Sequence, residues 1–378
     1  IRVIGTYAYM PDEVKQLKNQ EISSEKFATL QPNWDIYGLI QTMKEVVSQV
    51  EKNNIISGNI WNLKMLIKKI TNKKYFSIEE LKEDVEHLKP SSGQIFNLDE
   101  LSEASLKMRP CLIPCGTAML SYRMKKLTKH DCMLRLMDVP QLLEGATTFP
   151  GANHTRYEHS LGTYELMRRA ILALLRNKDY ITYLSERQVI LALLGALLSS
   201  LANFPYSYAI QELRVQDSDL FPNLERRKMF QMLVNQKSSL SNKSLLECIH
   251  ELFPQYDIQE EDIACVIFGS GSNRKPELDN LYSLLNSSIG VRVIDYIIRD
   301  AHHIGISCRV ETDNLFNNLA IIDDEFCLKQ GGISSAEQII TNRSWMFKRI
   351  YWSDPNRANA ALLKYCLLYT SPSPRDTR

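Results

Sequence analysis

The sequence predicts an all-α fold. Through most of its 378 residues, apolar side chains recur with the three- and four-residue spacing of amphipathic helices, whereas alternating runs of β-branched residues are rare and short. From about residue 120 the predicted helices become longer and more apolar. Three of them are expected to build the core, over residues 158–177, 185–202 and 280–305. The expected fold is therefore a multi-helix domain preceded by a helical N-terminal region.

The N-terminal region is expected to span residues 1–110. Apolar residues recur at helical spacing over 33–54, and a further predicted helix begins at Ser77, three residues before Glu80, in the pattern of a capping box. The segment PSSGQ, residues 90–94, is the expected linker because Pro, Gly and Ser interrupt helices. These elements make up the predicted helical N-terminal region.

The main domain is expected over residues 120–365, and the segment that follows it has a different character. The stretch CLLYTSPSPRD, from Cys366 to Asp376, resembles one reading frame of a common transposase sequencing adapter. A natural Ser/Pro-rich tail is the alternative. Because the chain also begins with Ile1 in place of Met, we expect it to be a fragment assembled from environmental DNA. Residues 366–378 are expected to be unpacked, since prolines among small polar residues offer no apolar stripe.

The composition is that of an ordinary globular protein, with 44% apolar and 24% charged residues. Its 45 basic and 44 acidic side chains nearly cancel, so no bulk field recruits nucleic acid or anionic lipid. No apolar run approaches the roughly 20 residues needed to span a bilayer. The 8 cysteines lack the paired short spacings of a zinc knuckle and are expected to be reduced thiols. We expect a cytoplasmic protein without a membrane partner.

A resemblance to HD-domain phosphohydrolases begins at residues 147–167, TTFPGANHTRYEHSLGTYELM. This segment resembles the opening motif of the deoxynucleoside triphosphate (dNTP) triphosphohydrolase branch. The matching positions are Pro150, Gly151, Ala152, His154, Arg156, Glu158, His159, Ser160, Leu161 and Gly162. Residues 294–306 resemble the last motif of the family, and residues 336–354 resemble its C-terminal nucleotide-contacting helix. The resemblance spans about 130–365 and implies the HD-domain fold.

In that family four ligands hold one divalent metal: a first His, an adjacent His-Asp pair and a later Asp. Such a metal polarises a phosphoryl oxygen and lowers the pKa of bound water. By the resemblance, His159 matches the first ligand, Ser199 and Ser200 replace the pair, and Arg292 replaces the fourth ligand. A hydroxyl is a poor ligand beside imidazole or carboxylate, and a guanidinium is never deprotonated in proteins. We therefore expect the family metal to be absent and no other cofactor to replace it.

The catalytic loop of the family is also altered. The loop stays in register with that of the family, but Asn203 and Tyr208 stand where the resemblance places two histidines. The chain has no histidine between residues 160 and 249, so no general base is apparent at this loop. The resemblance thus identifies no catalytic residue in this chain. A relocated metal site would need His154, His302 or His303, for which a structural role is the alternative.

Positions that contact the nucleotide in the family match this chain more often than the metal-ligand positions do. By the resemblance, Gln141 and Leu142 match positions beside the sugar, Arg156 and Arg343 match phosphate-contacting arginines, and Tyr296 and Asp300 match residues near the ribose; Arg292 adds a further cation. Arginine suits phosphate because its planar fork forms two charge-assisted hydrogen bonds.

Each of these residues also has a structural interpretation. The two matched arginines could pair with Glu158 or Asp300 in a buried network, and Tyr296 could pack in the core. Asp295 and Arg299, four residues apart, are predicted to form an ion pair on one helix. One departure affects phosphate binding itself, because Phe347 stands where relatives can have a phosphate-reaching histidine.

Three functions remain open from the sequence. The first is a pseudoenzyme that binds a nucleoside triphosphate or a partner without hydrolysis, and regulates another process. The second is an active phosphohydrolase, metal-dependent or using Arg292 and other cations in place of the metal. The third is a structural subunit, in a homo-oligomer or in a hetero-oligomer with an intact HD-domain protein. We favour a non-catalytic role, nucleotide-binding or structural.

The replacement of three metal-ligand positions predicts a protein without bound metal. Protein purified without chelator should contain no stoichiometric iron, manganese, zinc or nickel, because Ser199, Ser200 and Arg292 cannot complete a ligand set around His159. Elemental analysis measures this directly. One equivalent of metal that disappears in His159→Ala would contradict it.

Overall fold

A computed structural model of the chain describes residues 37–38, 41–42, 44–45, 98–102, 107–142, 145–176, 184–216, 225–270, 276–322 and 325–370. One compact unit comprises Gly93–Arg176 and Leu184–Arg378, and a second comprises Ile1–Ser92 and Asn177–Tyr183. In the second unit the described pairs within the predicted helix 33–54 are helical. The helix predicted at Ser77 and the linker predicted at 90–94 lie outside the described residues, and the division at 110–120 stays a prediction.

The first unit is built mainly from helices, which confirms the all-α prediction. Its α-helices are α1 (Tyr122–Leu127), α2 (Asp131–Leu134), α3 (Arg156–Arg176), α4 (Glu186–Leu198), α5 (Ser207–Gln216), α6 (Arg226–Asn235), α7 (Leu245–Leu252), α8 (Glu260–Phe268), α9 (Pro276–Asn286), α10 (Val291–His303), α11 (Thr312–Asn317), α12 (Ile333–Met346) and α13 (Asp354–Thr370). None of the helices within the described ranges combines the length and apolarity that a membrane crossing requires.

Two short antiparallel hairpins accompany these helices. Strands β1 (Met108–Ile113) and β2 (Gly116–Ser121) pair in the register Met108 to Ser121, and strands β3 (Leu319–Ile322) and β4 (Glu325–Leu328) pair in the register Leu319 to Leu328. Strand β2 packs against α3. The sequence did not predict these hairpins, because runs of four to six residues carry too little alternation to stand out.

The core follows the three predicted helices, with two corrections. Helix α4 begins with a capping box between Ser185 and Gln188, and its residues 189–198 are buried. It ends at Leu198, four residues before the predicted end. The predicted helix over 280–305 is two helices, because the chain turns at Gly290, where a Cβ would lie 2.6 Å from the carbonyl oxygen of Leu285.

Helix α13 continues beyond the expected end of the domain. It remains helical through Thr370, five residues into the segment that was expected to be unpacked. Cys366 and Tyr369 are exposed, and the ring of Tyr369 stacks on that of Tyr365 at 6.2 Å. The adapter-like residues 371–378 lie outside the described residues.

Close packing of α4 against α8 depends on a glycine. A Cβ at Gly195 would lie 2.4 Å from Cγ1 of Val266 and 3.0 Å from its Cβ. Val266 is itself fully buried. The two helices can therefore approach this closely only because position 195 has no side chain.

Gly195→Ala should lower the free energy of unfolding by about 1–3 kcal/mol, because the added methyl group overpacks the contact with Val266. The double variant Gly195→Ala/Val266→Ala should lose less than the sum of the single losses, since the shorter side chain relieves the clash. Chemical denaturation measures the free energy of unfolding of Gly195→Ala, of Val266→Ala and of the double variant. Leu240→Ala, at a residue that is 85% exposed, is the control and should shift stability by under about 0.5 kcal/mol. Additive losses would contradict the contact.

Candidate functional site

A cleft opens where the first residues of α3, α6 and α10 approach the end of α4. It encloses about 390 Å³, including the part that is open to solvent. The structure brings eight sequence-predicted residues together in its wall: Gln141, Arg156, His159, Ser199, Ser200, Asn203, Arg292 and Tyr296.

Gln141 and Arg156 are neighbours in the cleft because two chain segments pair beside it. Pro140 and Thr155 form an antiparallel β-bridge. The backbone N–H of Gln141 donates to the carbonyl of His154 at 2.9 Å, and that of Arg156 donates to the carbonyl of Val139 at 2.8 Å. Backbone hydrogen bonds therefore fix the start of α3 against the segment that carries Gln141.

Ser199, Ser200 and Asn203 lie in a tight turn after α4. The backbone N–H of Asn203 donates to the carbonyl of Ser200 at 2.9 Å. Arg135 holds the turn from outside, since its guanidinium donates to the carbonyls of Leu201 at 2.6 Å and Asn203 at 2.9 Å. Both serines are about 1% exposed. The turn keeps its shape without any metal ligand.

Behind the cleft, one carboxylate joins α3 to α10. Asp295 accepts a hydrogen bond from Nδ1 of His159 at 2.7 Å, and it accepts from Nε and Nη2 of Arg299 at 3.0 and 2.7 Å. This confirms the predicted ion pair between Asp295 and Arg299. A Cβ at Gly162 would lie 1.9 Å from Oδ1 of Asp295, so the glycine makes room for the pair on the surface of α3.

The protonation of this group follows from burial and neighbouring charges. Burial lowers the pKa of His159 below its ordinary value, and the positive charges of Arg156 and Arg292 add to this, against the hydrogen bond to Asp295. Burial raises the pKa of Asp295, but Arg299 and His159 outweigh it, so the pKa lies below its ordinary value. His159 is therefore a neutral imidazole with its proton on Nδ1, because an ionised carboxylate can only accept.

The positive charge of the cleft comes from several elements. Arg292 donates from Nη1 to Oδ1 of Asn286 at 2.9 Å, which ties the start of α10 to the end of α9. Arg226, the first residue of α6, lines the same cleft, and its guanidinium carbon lies 5.5 Å from the ring centre of Phe268. With Arg156, three guanidiniums from three helices line one cavity.

Other predicted residues are not part of the described wall. Asp300 is buried and accepts hydrogen bonds from Nε2 of His154 at 2.8 Å and from the hydroxyl of Tyr351 at 2.6 Å. The guanidinium carbon of Arg343 lies 5.6 Å from the ring centre of Phe347. Leu142 follows the cleft residue Gln141 in the chain without lining the cavity. Tyr208 is the second residue of α5, and its side chain is outside the described part of the structure.

Two lining residues were missed by sequence reasoning, Gln211 on α5 and Arg226 on α6. Arg226 belongs to the basic run Arg226–Arg227–Lys228 at the start of an amphipathic helix. Such a run is ordinarily a solvated face, and only the packing of α6 shows which of the three cations faces the cavity. Arg227, for comparison, pairs with Glu261 and donates to the carbonyl of Gly269.

The residues present do not fit the divalent metal that the resemblance implies. Of the cleft-lining side chains in the described residues, His159 alone is an imidazole and none is a carboxylate or thiolate. No group of three His, Cys, Asp or Glu side chains in the described ranges could hold a metal ion. By the resemblance, the positions of the other ligands carry the hydroxyls of Ser199 and Ser200 and the guanidinium of Arg292.

Comparison with known proteins gives distant but consistent similarities. The uncharacterized protein YwfO of Bacillus subtilis is 26% identical over 230 residues, which is 61% of this chain and 48% of YwfO. The mouse deoxynucleoside triphosphate triphosphohydrolase SAMHD1 is 24% identical over 271 residues, 62% of this chain and 40% of SAMHD1. A putative HD domain-containing protein of Acanthamoeba polyphaga mimivirus, L394, is 24% identical over 57% of this chain and 48% of L394. No protein-family model matches.

Solved structures share the fold. A hypothetical protein from Aquifex aeolicus superposes with a TM-score of 0.56 at 22% identity, covering 70% of this chain and 66% of the other. A phosphohydrolase from Bacteroides thetaiotaomicron superposes with a TM-score of 0.54 at 19% identity, covering 69% and 59%. These similarities confirm the resemblance to HD-domain proteins of the dNTP triphosphohydrolase branch. The chain spans about half the length of the curated relatives it matches.

Asp295→Ala should lower the free energy of unfolding by about 3–5 kcal/mol, because it leaves the buried guanidinium of Arg299 without its carboxylate. Asp295→Leu/Arg299→Met should lose less, since it removes both charges together. Urea denaturation measures each variant.

Asp313→Ala is the matched control for this pair. It removes an ion pair with Arg169 whose carboxylate is 83% exposed, so the loss should stay below about 1 kcal/mol. A loss in Asp295→Ala no larger than in Asp313→Ala would contradict the buried network.

Proposed function

We propose, from its similarity to the dNTP triphosphohydrolase branch of HD-domain proteins, that this chain binds a nucleoside triphosphate in the cleft without hydrolysing it. The observation that carries this proposal is the composition of one cavity. Nucleotide-contacting positions of the resemblance, such as Gln141, Arg156 and Tyr296, line it together with Ser199 and Arg292, which replace metal ligands. The proposal is supported by nucleotide-contacting positions that share a cavity with replaced metal-ligand positions.

The charges of the cleft favour a polyphosphate. Arg156, Arg226 and Arg292 line it, and no Asp or Glu side chain does so among the described residues. Three arginines on one wall favour an anionic ligand over a neutral or cationic one. Because each offers a fork of donors that matches phosphate oxygens, a chain of phosphates can be shared between them.

An unsatisfied hydrogen-bond acceptor in the same cleft suits the sugar of such a ligand. Gln141 is about 3% exposed, and its Oε1 atom has no hydrogen-bond partner in the described structure. A buried carbonyl oxygen needs a donor, and a sugar hydroxyl supplies one. The resemblance places Gln141 beside the sugar. Anionic and hydroxyl groups on one ligand are what a nucleotide offers.

Hydrolysis needs an activated water molecule in addition to bound phosphate. Among the described lining residues His159 is the sole imidazole; its Nδ1–H donates to Asp295, so only Nε2 could accept a proton, and no metal-ligand group accompanies it to activate water. Asn203 holds the position of a catalytic-loop histidine, and an amide does not act as a general base. Arg292 can balance phosphate charge, as a metal would, but it cannot lower the pKa of a bound water by coordination.

Isothermal titration with the four dNTPs and four NTPs tests binding, and chromatographic analysis of the same mixtures tests turnover. Wild type should bind at least one of them without releasing a nucleoside or phosphate. Arg292→Gln should weaken binding by about 1.5–3 kcal/mol, the worth of a hydrogen bond to a charged group. Raising salt should weaken it further, because charged contacts are screened.

Arg309→Gln is the matched control, since Arg309 is an exposed arginine outside the cleft wall. Its affinity should equal that of wild type. Nucleoside or phosphate release that is lost in Arg292→Gln would favour the active phosphohydrolase. No heat with any nucleotide would remove the binding function and favour a structural subunit, in a homo-oligomer or with an intact HD-domain protein.

A further inference from the structure

We infer that the cleft takes its polyphosphate ligand as the metal-free anion, so that Mg²⁺ opposes binding instead of supporting it. This inference rests on the proposed function and adds the chemical form of the ligand. It follows from the misfit between the cleft and the metal that the resemblance implies. Three observations carry it: the placement of the arginines, the absence of carboxylates from the described wall, and a buried hydroxyl.

The arginines occupy unfavourable ends of their helices. Arg156 is the first residue of α3, Arg226 is the first residue of α6, and Arg292 is the second residue of α10. A helix N-terminus carries partial positive charge, so a cation in the first turn destabilises the helix. The first turns of three helices thus each contribute an arginine to the lining of one cavity. A bound anion offsets both contributions at once, and a second cation would add to them.

The described wall offers Mg²⁺ no carboxylate. Mg²⁺ prefers carboxylate and phosphate oxygens, and the carboxylate of Asp295, the hydrogen-bond partner of the lining residue His159, is already shared between His159 and Arg299. A Mg²⁺ ion on the ligand would also occupy phosphate oxygens that the guanidiniums contact. It would lower the negative charge of the ligand while adding its own positive charge beside Arg292.

A buried hydroxyl lies where the family has its metal ligands. Ser199 lines the cleft at about 1% exposure, and its Oγ atom has no hydrogen-bond partner in the described part of the chain. An unsatisfied buried hydroxyl is unfavourable, and a phosphate oxygen can accept its proton. Ser199 and Arg292 therefore form an oxyanion subsite at the metal position.

Inorganic triphosphate and dATP, each titrated in EDTA and in excess Mg²⁺ at matched ionic strength, test the inference. Both probes should bind more tightly in EDTA, by about tenfold, a typical coupling between two ligands. Ser199→Ala and Arg226→Gln should each weaken binding of inorganic triphosphate in EDTA. Arg226→Gln should also reduce the difference between the two conditions, because one repelling charge is gone.

Lys228→Gln is the matched control for Arg226→Gln. Lys228 lies two residues further along α6, is exposed, and pairs with Glu225 outside the cleft wall. Its affinity for inorganic triphosphate and its Mg²⁺ effect should equal those of wild type. Far-ultraviolet circular dichroism of each variant verifies that it is folded before titration.

The outcomes separate this inference from the proposed function. Binding of dATP that requires Mg²⁺ would overturn the metal-free form and leave nucleotide binding intact. Binding of inorganic triphosphate in EDTA, with no binding of any nucleotide, would keep the oxyanion subsite and overturn nucleotide binding. No binding of either probe in either condition, or equal affinity with and without Mg²⁺, would overturn the inference.

Discussion

The cleft depends on the buried hydrogen bonds and ion pair that the carboxylate of Asp295 forms behind it. This carboxylate joins His159 on α3 to Arg299 on α10, and the missing side chain at Gly162 lets the two helices close around it. Buried charges are tolerated only when they are paired and hydrogen-bonded. The hydrogen bonds from His159 and Arg299 satisfy the buried carboxylate of Asp295 within the protein.

The sequence predicted the helical core and most of the cleft for different reasons. Long apolar helices such as α4 are visible from periodicity alone, whereas hairpins of a few residues are not. The turn at Gly290, which divides a predicted helix, depends on a close backbone approach that periodicity does not report. Cleft residues came from motif resemblance, which explains why Arg226 was missed. Its place in the wall is set by how α6 packs.

Motif resemblance fixes residue identity better than it fixes residue role. Asp300 matches a position near the ribose, yet both of its oxygens are used within the protein, by His154 and Tyr351. The ring of His154 in turn stacks on that of His303 at 4.3 Å. This cluster lies behind the lining residue Tyr296, whose ring meets that of Tyr351 edge-on at 6.3 Å. Asp300 thus supports a ring that lines the cleft.

Replacing a metal by arginine changes which step a site can favour. A divalent metal binds phosphate and also generates the nucleophile, so its effect grows as the transition state forms. A guanidinium supplies charge and donors to bound phosphate, and contributes no hydroxide. An arginine can stabilise transition-state charge in phosphoryl transfer, but without an activated water molecule its interactions stabilise only the bound complex. Under the proposed function, with Arg292 where the resemblance places a metal ligand, the fold serves recognition, because fold and chemistry are separable.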